Sequence, residues 1–156
     1  MPDIEETMAW VRMLHEGQTD KAGRPYIQHV MRVYRHLRET FPEAGEDVQH
    51  AALLHDTLED CGISAADLRA RGYSETTVRI VEAVTRTPQD GLTYAQKIEQ
   101  LAASGPLGAV QVKICDLLDN SDASRLAELP AEKAASLSKR YRRALEVLRA
   151  GLKHHF

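Results

Sequence analysis

Between His50 and Cys61 the chain reads HAALLHDTLEDC, its densest run of groups able to do chemistry. Ala51, Ala52, Leu53, Leu54 and Leu58 suit a helix made for burial, yet His55, Asp56, Glu59 and Asp60 place four ionisable side chains within six residues. Residues three and four apart share a helix face, so the spacing predicts His55 above Glu59, and Asp56 beside Glu59 and Asp60. Gly62 reads as the helix stop, which puts three carboxylates in the last turn. Acids there oppose the helix dipole by about 0.3–1 kcal/mol each, and a divalent cation would compensate them. The alternative is a solvated acidic helix end with an incidental histidine.

A second unusual set lies at Lys113, Asp116 and Asn120, spaced i, i+3 and i+7 beside an apolar stripe. Asp116 stands between Cys115 and Leu117, an odd setting for a solvated acid, although a surface ion pair with Lys113 is the simpler alternative. His29 borders the apolar face of another helix and, taken alone, reads as a core histidine. Together His29, His55, Asp56 and Asp116 supply mixed nitrogen and oxygen donors. That set suits Mn²⁺, Fe²⁺, Mg²⁺ or Zn²⁺ with open water positions rather than a closed thiolate site. A nearby carboxylate, Glu59 or Asp60, can take the proton of an attacking water. Lys21, Arg24 and Lys113 can neutralise phosphates. Arg140 and Arg143 read more readily as a solvated helix face, Arg24 equally as a loop cation paired with Asp20, and Tyr26 as core.

These groups need helices to hold them. Asp3 can cap a first helix to residue 14 or 15, with Gly17 ending it. Pro25 suits the first position of a second helix whose apolar face is Tyr26, Ile27, Val30, Val33, Tyr34 and Leu37. Pro42 breaks it, and the central helix follows from about Asp47. Ser64, with Asp67 in the capping-box position, starts a short helix, and Ser74 another with Val78, Val81, Ala83 and Val84 buried. Residues 88–91 read as a turn, 92–103 as an amphipathic helix. Val110, Val112 and Ile114 mimic a strand, but Val110, Ile114, Leu117 and Leu118 keep helical spacing. Pro130 opens a last long helix to about Gly151. The expected fold is all-α, a compact irregular bundle of seven or eight helices in one domain over residues 1–156.

Composition narrows the function classes. The 156 residues are enough for one domain with a full core, and 43% hydrophobic with 28% charged residues is ordinary for a soluble protein. No apolar run is long enough to span a membrane, no signal-peptide pattern opens the chain, and two cysteines make no disulfide framework. The cytoplasm is the expected compartment. From Pro130 onward seven lysines and arginines face two glutamates, a local charge of +5 that leaves −8 on the preceding 129 residues. That imbalance suits an anionic ligand near the basic last helix, or an acidic body pairing with it. Overall acidity without interleaved aromatics argues against nucleic-acid binding.

The pieces HEGQTDKAGRPYIQH (15–29), AALLHDTLED (51–60), VTR (84–86) and VKICDLLDN (112–120) resemble, in order and spacing, the HD-domain metal-dependent phosphohydrolases. They are closer still to the (p)ppGpp hydrolase domain of RelA/SpoT-like proteins and small alarmone hydrolases. The resemblance implies an HD-domain fold, His29, His55, Asp56 and Asp116 as ligands of Mn²⁺, and Glu59 and Asp60 as the pair that orients and activates water. It further implies Lys21 in the nucleotide site and Asn120 at the sugar. Asp20 stands where the family usually has arginine ahead of that lysine, Val30 where a proline follows the first histidine, and Cys115 and Leu117 where Ala and Arg or Lys flank the acid. The implied activity is removal of a 3′-pyrophosphate from an alarmone nucleotide. The alternatives are a phosphomonoesterase acting on nucleoside monophosphates or NADPH, and a non-catalytic metal- or nucleotide-binding module.

Overall fold

The computed structural model describes residues 1–87 and 90–155, so part of the expected 88–91 turn lies outside the described residues. Ten α-helical segments are found among the described residues: α1 (Ile4–Leu14), α2 (Tyr26–Thr40), α3 (Glu46–Leu54), α4 (Thr57–Asp60), α5 (Ala65–Ala70), α6 (Glu75–Val84), α7 (Tyr94–Ser104), α8 (Leu107–Asn120), α9 (Ala123–Leu126) and α10 (Ala131–Leu152). Eight of them have six residues or more, which matches the expected all-α bundle, while α4 and α9 are single turns. Local chemistry starts most of these helices where the sequence says it should. Asp3 accepts the Glu6 N–H, Ser64 and Asp67 form a reciprocal capping box, and Ser74 accepts the Thr77 N–H. Thr93 and Gln96 make a second box, so α7 starts at Tyr94 rather than Leu92.

Helix α8 is the axis of the bundle. It touches α2, α3, α6, α7 and α10, and buries Val110, Val112, Ile114 and Leu117 among them. A helix enclosed on most sides carries apolar residues at nearly every position, which is why this segment can imitate a strand in sequence. Val30, at the position where the family has proline, is fully buried on α2. Each such side chain contributes roughly 1.5–3 kcal/mol by leaving water. On α6 the buried residues are Thr77, Val78, Ile80 and Val81; Ala83, expected inside, is exposed because the helix turns it off that face.

The principal departure from the expected fold is at the centre. In place of one helix from residue 47 to 61, α3 ends at Leu54 and α4 begins at Thr57. Thr57 Oγ1 donates to the Leu54 carbonyl at 2.8 Å and His55 Nδ1 to the Ala52 carbonyl at 2.7 Å. These side chains satisfy the carbonyls that a continuous helix would use. His55 and Asp56 therefore occupy a break between helices, and the expected stacking of His55 on Glu59 does not form. Gly62, with φ of 66°, ends the segment as expected.

Candidate metal centre and its cleft

Three elements bring the donors together: α2 carries His29, the α3–α4 break His55 and Asp56, and α8 Asp116. His29, His55 and Asp116 are all buried, and one ligand atom from each lies within 4.8 Å of the other two. Nε2 of His29 is 2.9 Å from Asp116 Oδ1, and Nε2 of His55 is 3.5 Å from the same oxygen. Asp56 Oδ2 borders the same point, 2.8 Å from His55 Nε2 and 3.9 Å from His29 Nε2.

The opposite edge of each imidazole is committed elsewhere. His29 Nδ1 bonds Asp119 Oδ2 at 2.6 Å, and His55 Nδ1 bonds the Ala52 carbonyl. With the proton on Nδ1 in both rings, the Nε2 lone pairs face each other across the centre. This is how metal-ligating histidines are commonly oriented. His55 Nε2 is buried without a hydrogen-bond partner among the described residues, since the nearby Asp56 oxygen is not aligned with it. A buried, unpaired nitrogen facing two carboxylates is a poor structural device and a good ligand. The donor set fits a divalent cation.

Electrostatics agree. Burial opposes charge on Asp116, but Lys113 at 2.9 Å and the two histidines outweigh it and hold the carboxyl well below its usual range. Burial likewise disfavours the His55 imidazolium, while Asp56 and Asp116 draw protons to it more strongly, so its pKa is raised. Protons and a cation compete for the same lone pairs, and loading therefore improves as pH rises. Asp119 is held at about 2: burial opposes its ionisation, and hydrogen bonds from His29 and Arg32 outweigh that penalty.

A model of the HD domain matches residues 7–139. The chain belongs to the HD-domain family. It is 33% identical over 116 residues to the guanosine-3′,5′-bis(diphosphate) 3′-pyrophosphohydrolase MESH1 of Danio rerio, covering 73% of this chain and 63% of that one. It is 36% identical over 104 residues to the guanosine-3′,5′-bis(diphosphate) 3′-pyrophosphohydrolase of Vibrio cholerae, covering 65% of this chain but 14% of the other. It thus spans less than two thirds of these relatives' length. The solved structure of a metazoan ortholog of SpoT that hydrolyzes ppGpp superimposes with a TM-score of 0.75 over 99% of this chain and 94% of that chain, at 24% identity. That likeness shows a shared fold.

In this HD domain the second acidic group is Asp56, Glu59 and Asp60, whose oxygens lie within 4.8 Å of one another. Glu59 and Asp60 are exposed on α4, Glu59 at the cleft over the buried donors and Asp60 beside it. Glu59 accepts the Arg86 N–H at 3.0 Å, and burial together with Asp56 and Asp60 raises its pKa. A cavity of about 210 Å³ opens over the centre, bordered by His55, Asp56, Glu59 and Asp116 and by the cations Lys21, Arg86, Lys113 and Arg140. Lys21, Lys113 and Asn120 all border this cleft. Lys113 is partly spent on Asp116, and Asn120 Nδ2 donates to Asp116 Oδ1 at 3.2 Å.

Arg24 does not border this cleft. Its guanidinium bonds Glu128 instead, while its backbone N–H donates to Asp20. Asp20, the departure from the family pattern, folds back: Oδ1 accepts the Ala22 and Arg24 N–H groups and Oδ2 accepts from Arg125 at 3.2 Å. It anchors the loop ahead of α2. Tyr26, read as core, is a cleft residue whose hydroxyl donates to Asp56 Oδ2 at 2.5 Å. Two residues escaped sequence reasoning altogether. Asp119 holds His29, Arg32 and Arg125 at once, and Arg125 also donates to Asn120 at 2.8 Å. The one signal for Asp119 was a carboxylate directly after Leu117 and Leu118 in a buried helix.

Proposed function

We propose that this HD domain is a Mn²⁺-dependent phosphohydrolase that removes the 3′-pyrophosphate from a (p)ppGpp-like nucleotide. One observation carries the reading: two Nε2 lone pairs and the Asp116 carboxylate converge at the base of a cleft whose rim alternates acids with cations. When bound there, a divalent cation supplies the Lewis acidity that polarises a phosphoryl oxygen and makes water a nucleophile near neutrality. His29, His55, Asp56 and Asp116 are the residues that hold it. Asp119 and the Ala52 carbonyl keep the two imidazoles turned the right way. Tyr26, neutral because burial and Asp56 raise its pKa, pins the Asp56 carboxylate.

Glu59 and Asp60 stand beside the centre, where one accepts the proton of the attacking water and the other steers its lone pair. Lys21, Arg86 and Lys113 offset phosphate charge along the cleft. A neighbouring cavity of about 320 Å³ shares Lys21, Tyr26, Asn120, Leu137 and Tyr141 with it and is completed by Thr19, Asp20, Ala22, Arg125, Leu126 and Leu129. Its leucines and the Asn120 amide suit a nucleoside. Asp20 and Arg125 neutralise each other at its edge, so base recognition rests on groups other than an arginine at position 20.

The test is turnover of ppGpp, ppApp, NADPH and nucleoside monophosphates with Mn²⁺, with and without chelator, products resolved by chromatography. The reading expects chelator-sensitive release of pyrophosphate from a 3′-pyrophosphorylated nucleotide, lost in His55→Ala. Orthophosphate released from a monoester in place of pyrophosphate would make the protein a phosphomonoesterase. Binding of Mn²⁺ and nucleotide without turnover would make it a binding module.

A further inference from the structure

Beside Lys21 and Arg86, which border the metal cleft, the nearby cations fall into two groups. Arg32, Arg125 and Lys113 are committed to the carboxylates Asp119 and Asp116. Lys139, Arg140 and Arg143, on the outward side of α10, have no ion-pair partner among the described residues. They line a groove of about 270 Å³ between α7 and α10, floored by Tyr94, Ile98 and Val147. Tyr94 and Arg140 belong to this groove and to the metal cleft alike. The Arg140 guanidinium lies 5.2 Å from the centre of the Tyr94 ring. Stacking on an aromatic ring orients a guanidinium without neutralising it, so its N–H donors stay available. Glu99 is the single acid lining the groove among the described residues.

From this we infer that the α7–α10 groove is a subsite for the second, non-scissile phosphate chain of the substrate, with Arg140 as the residue that joins it to the metal cleft. The inference rests on the reading above, in which a nucleotide carries one phosphate chain to the metal and another elsewhere. The nucleoside cavity offers that second chain little: Arg125 is already bonded to Asp20, Asp119 and Asn120, and Lys21 borders the metal cleft as well, where it faces the scissile chain. The groove offers three uncommitted cations. Chain length at the 5′ position then sets affinity, and the basic last helix acquires a purpose that a solvated face would not give it.

Two measurements decide the matter. The first is equilibrium binding to the full chain with chelator present, comparing GDP with guanosine and ADP with adenosine. The 5′-diphosphate should strengthen binding by about tenfold or more, the usual worth of one or two charge-assisted hydrogen bonds. The increment should vanish in the double variant Arg140→Gln/Arg143→Gln, persist in part in Arg140→Lys, and grow in Glu99→Gln. Both arginines are exposed, and a thermal melt checks that the double variant is folded. The second is turnover of two nucleosides with the same 3′-pyrophosphate, one bearing a 5′-diphosphate and one a 5′-hydroxyl. Arg140→Gln should raise KM at least tenfold more for the first than for the second, with kcat of the two affected alike. No 5′-diphosphate increment in the parent, an increment that survives the double variant, or equal KM effects on both substrates would each overturn the inference. If the parent hydrolyses neither substrate, the reaction reading fails, while the binding increment still decides the groove.

Discussion

Asp119→Asn tests the metal centre without touching a ligand. Asp119 Oδ2 accepts from His29 Nδ1 at 2.6 Å, in surroundings that leave its side chain 3% exposed. Asparagine keeps the shape and, with its oxygen in the Oδ1 position, an acceptor for Arg32 Nε, but its amide N–H₂ then stands where Oδ2 accepted from both His29 Nδ1 and Arg125. The imidazole must shift its proton to Nε2, the atom aimed at the metal. Loss of such an outer partner typically costs 10–100-fold in metal affinity, roughly 1.4–2.7 kcal/mol. The short, shielded bond places this case near 100-fold. Thermal melts with Mn²⁺ read the change directly. At an ion concentration about 100 times the parent dissociation constant, mass action stabilises the parent by about 2.7 kcal/mol and a variant bound 100-fold more weakly by about 0.4 kcal/mol. Asp122→Asn, an exposed acid three residues on, serves as the control. An Asp119→Asn protein that folds and gains as much from Mn²⁺ as the parent would refute the assigned tautomer and with it the ligand role of His29.

Three further outcomes are expected. Glu59→Gln and Asp60→Asn should each lower kcat by about 10²–10⁴-fold, the range for a positioned acid–base group, while Mn²⁺ affinity changes little; a kcat within threefold of the parent in both would remove the proton-accepting role. His50 is fully buried, with Nδ1 2.9 Å from Thr7 Oγ1, and burial holds its pKa below 6.5 despite the pull of Glu46, Asp47 and Asp3. The unfolded chain then binds this proton more readily than the native one, so stability is lost as pH falls below about 6.5; the Tm difference between parent and His50→Gln should narrow from pH 7.5 to 5, and a constant difference would contradict it. Gly151→Ala would set a Cβ 2.8 Å from the Ala102 carbonyl oxygen. It should destabilise by about 1–3 kcal/mol although alanine is the better helix former, read as a lower Tm; a raised Tm would show that α7 and α10 have room to move apart.

Most helix starts and the clusters of ionisable groups were legible in the amino-acid sequence because both are local. Asp3, Ser64 and Ser74 cap their helices through residues three positions away, so spacing alone declares them. His55, Asp56 and Asp116 stand out because ionisable groups interrupt apolar helices, a costly arrangement that marks use, whereas His29 alone reads as a core histidine and joins them only as part of the set. What sequence could not decide depends on partners far along the chain. Asp119 and His29 are 90 residues apart, Tyr26 and Asp56 30, and Arg125 and Asp20 105; the first pair needs α8 packed against α2, the second α2 against the α3–α4 break, and the third α9 against the loop ahead of α2. The break after Leu54 is of the same kind, since a helical pattern runs straight through it and the side chains of His55 and Thr57 stop it. Gly151, taken as a helix end, lies within α10 where the backbone of α7 approaches too closely for a Cβ. The chain thus specifies most of its helices and its candidate donors by local pattern. The orientation of those donors, and which cations remain free for substrate, were decided by tertiary packing, because a hydrogen bond's partner is chosen by proximity in space.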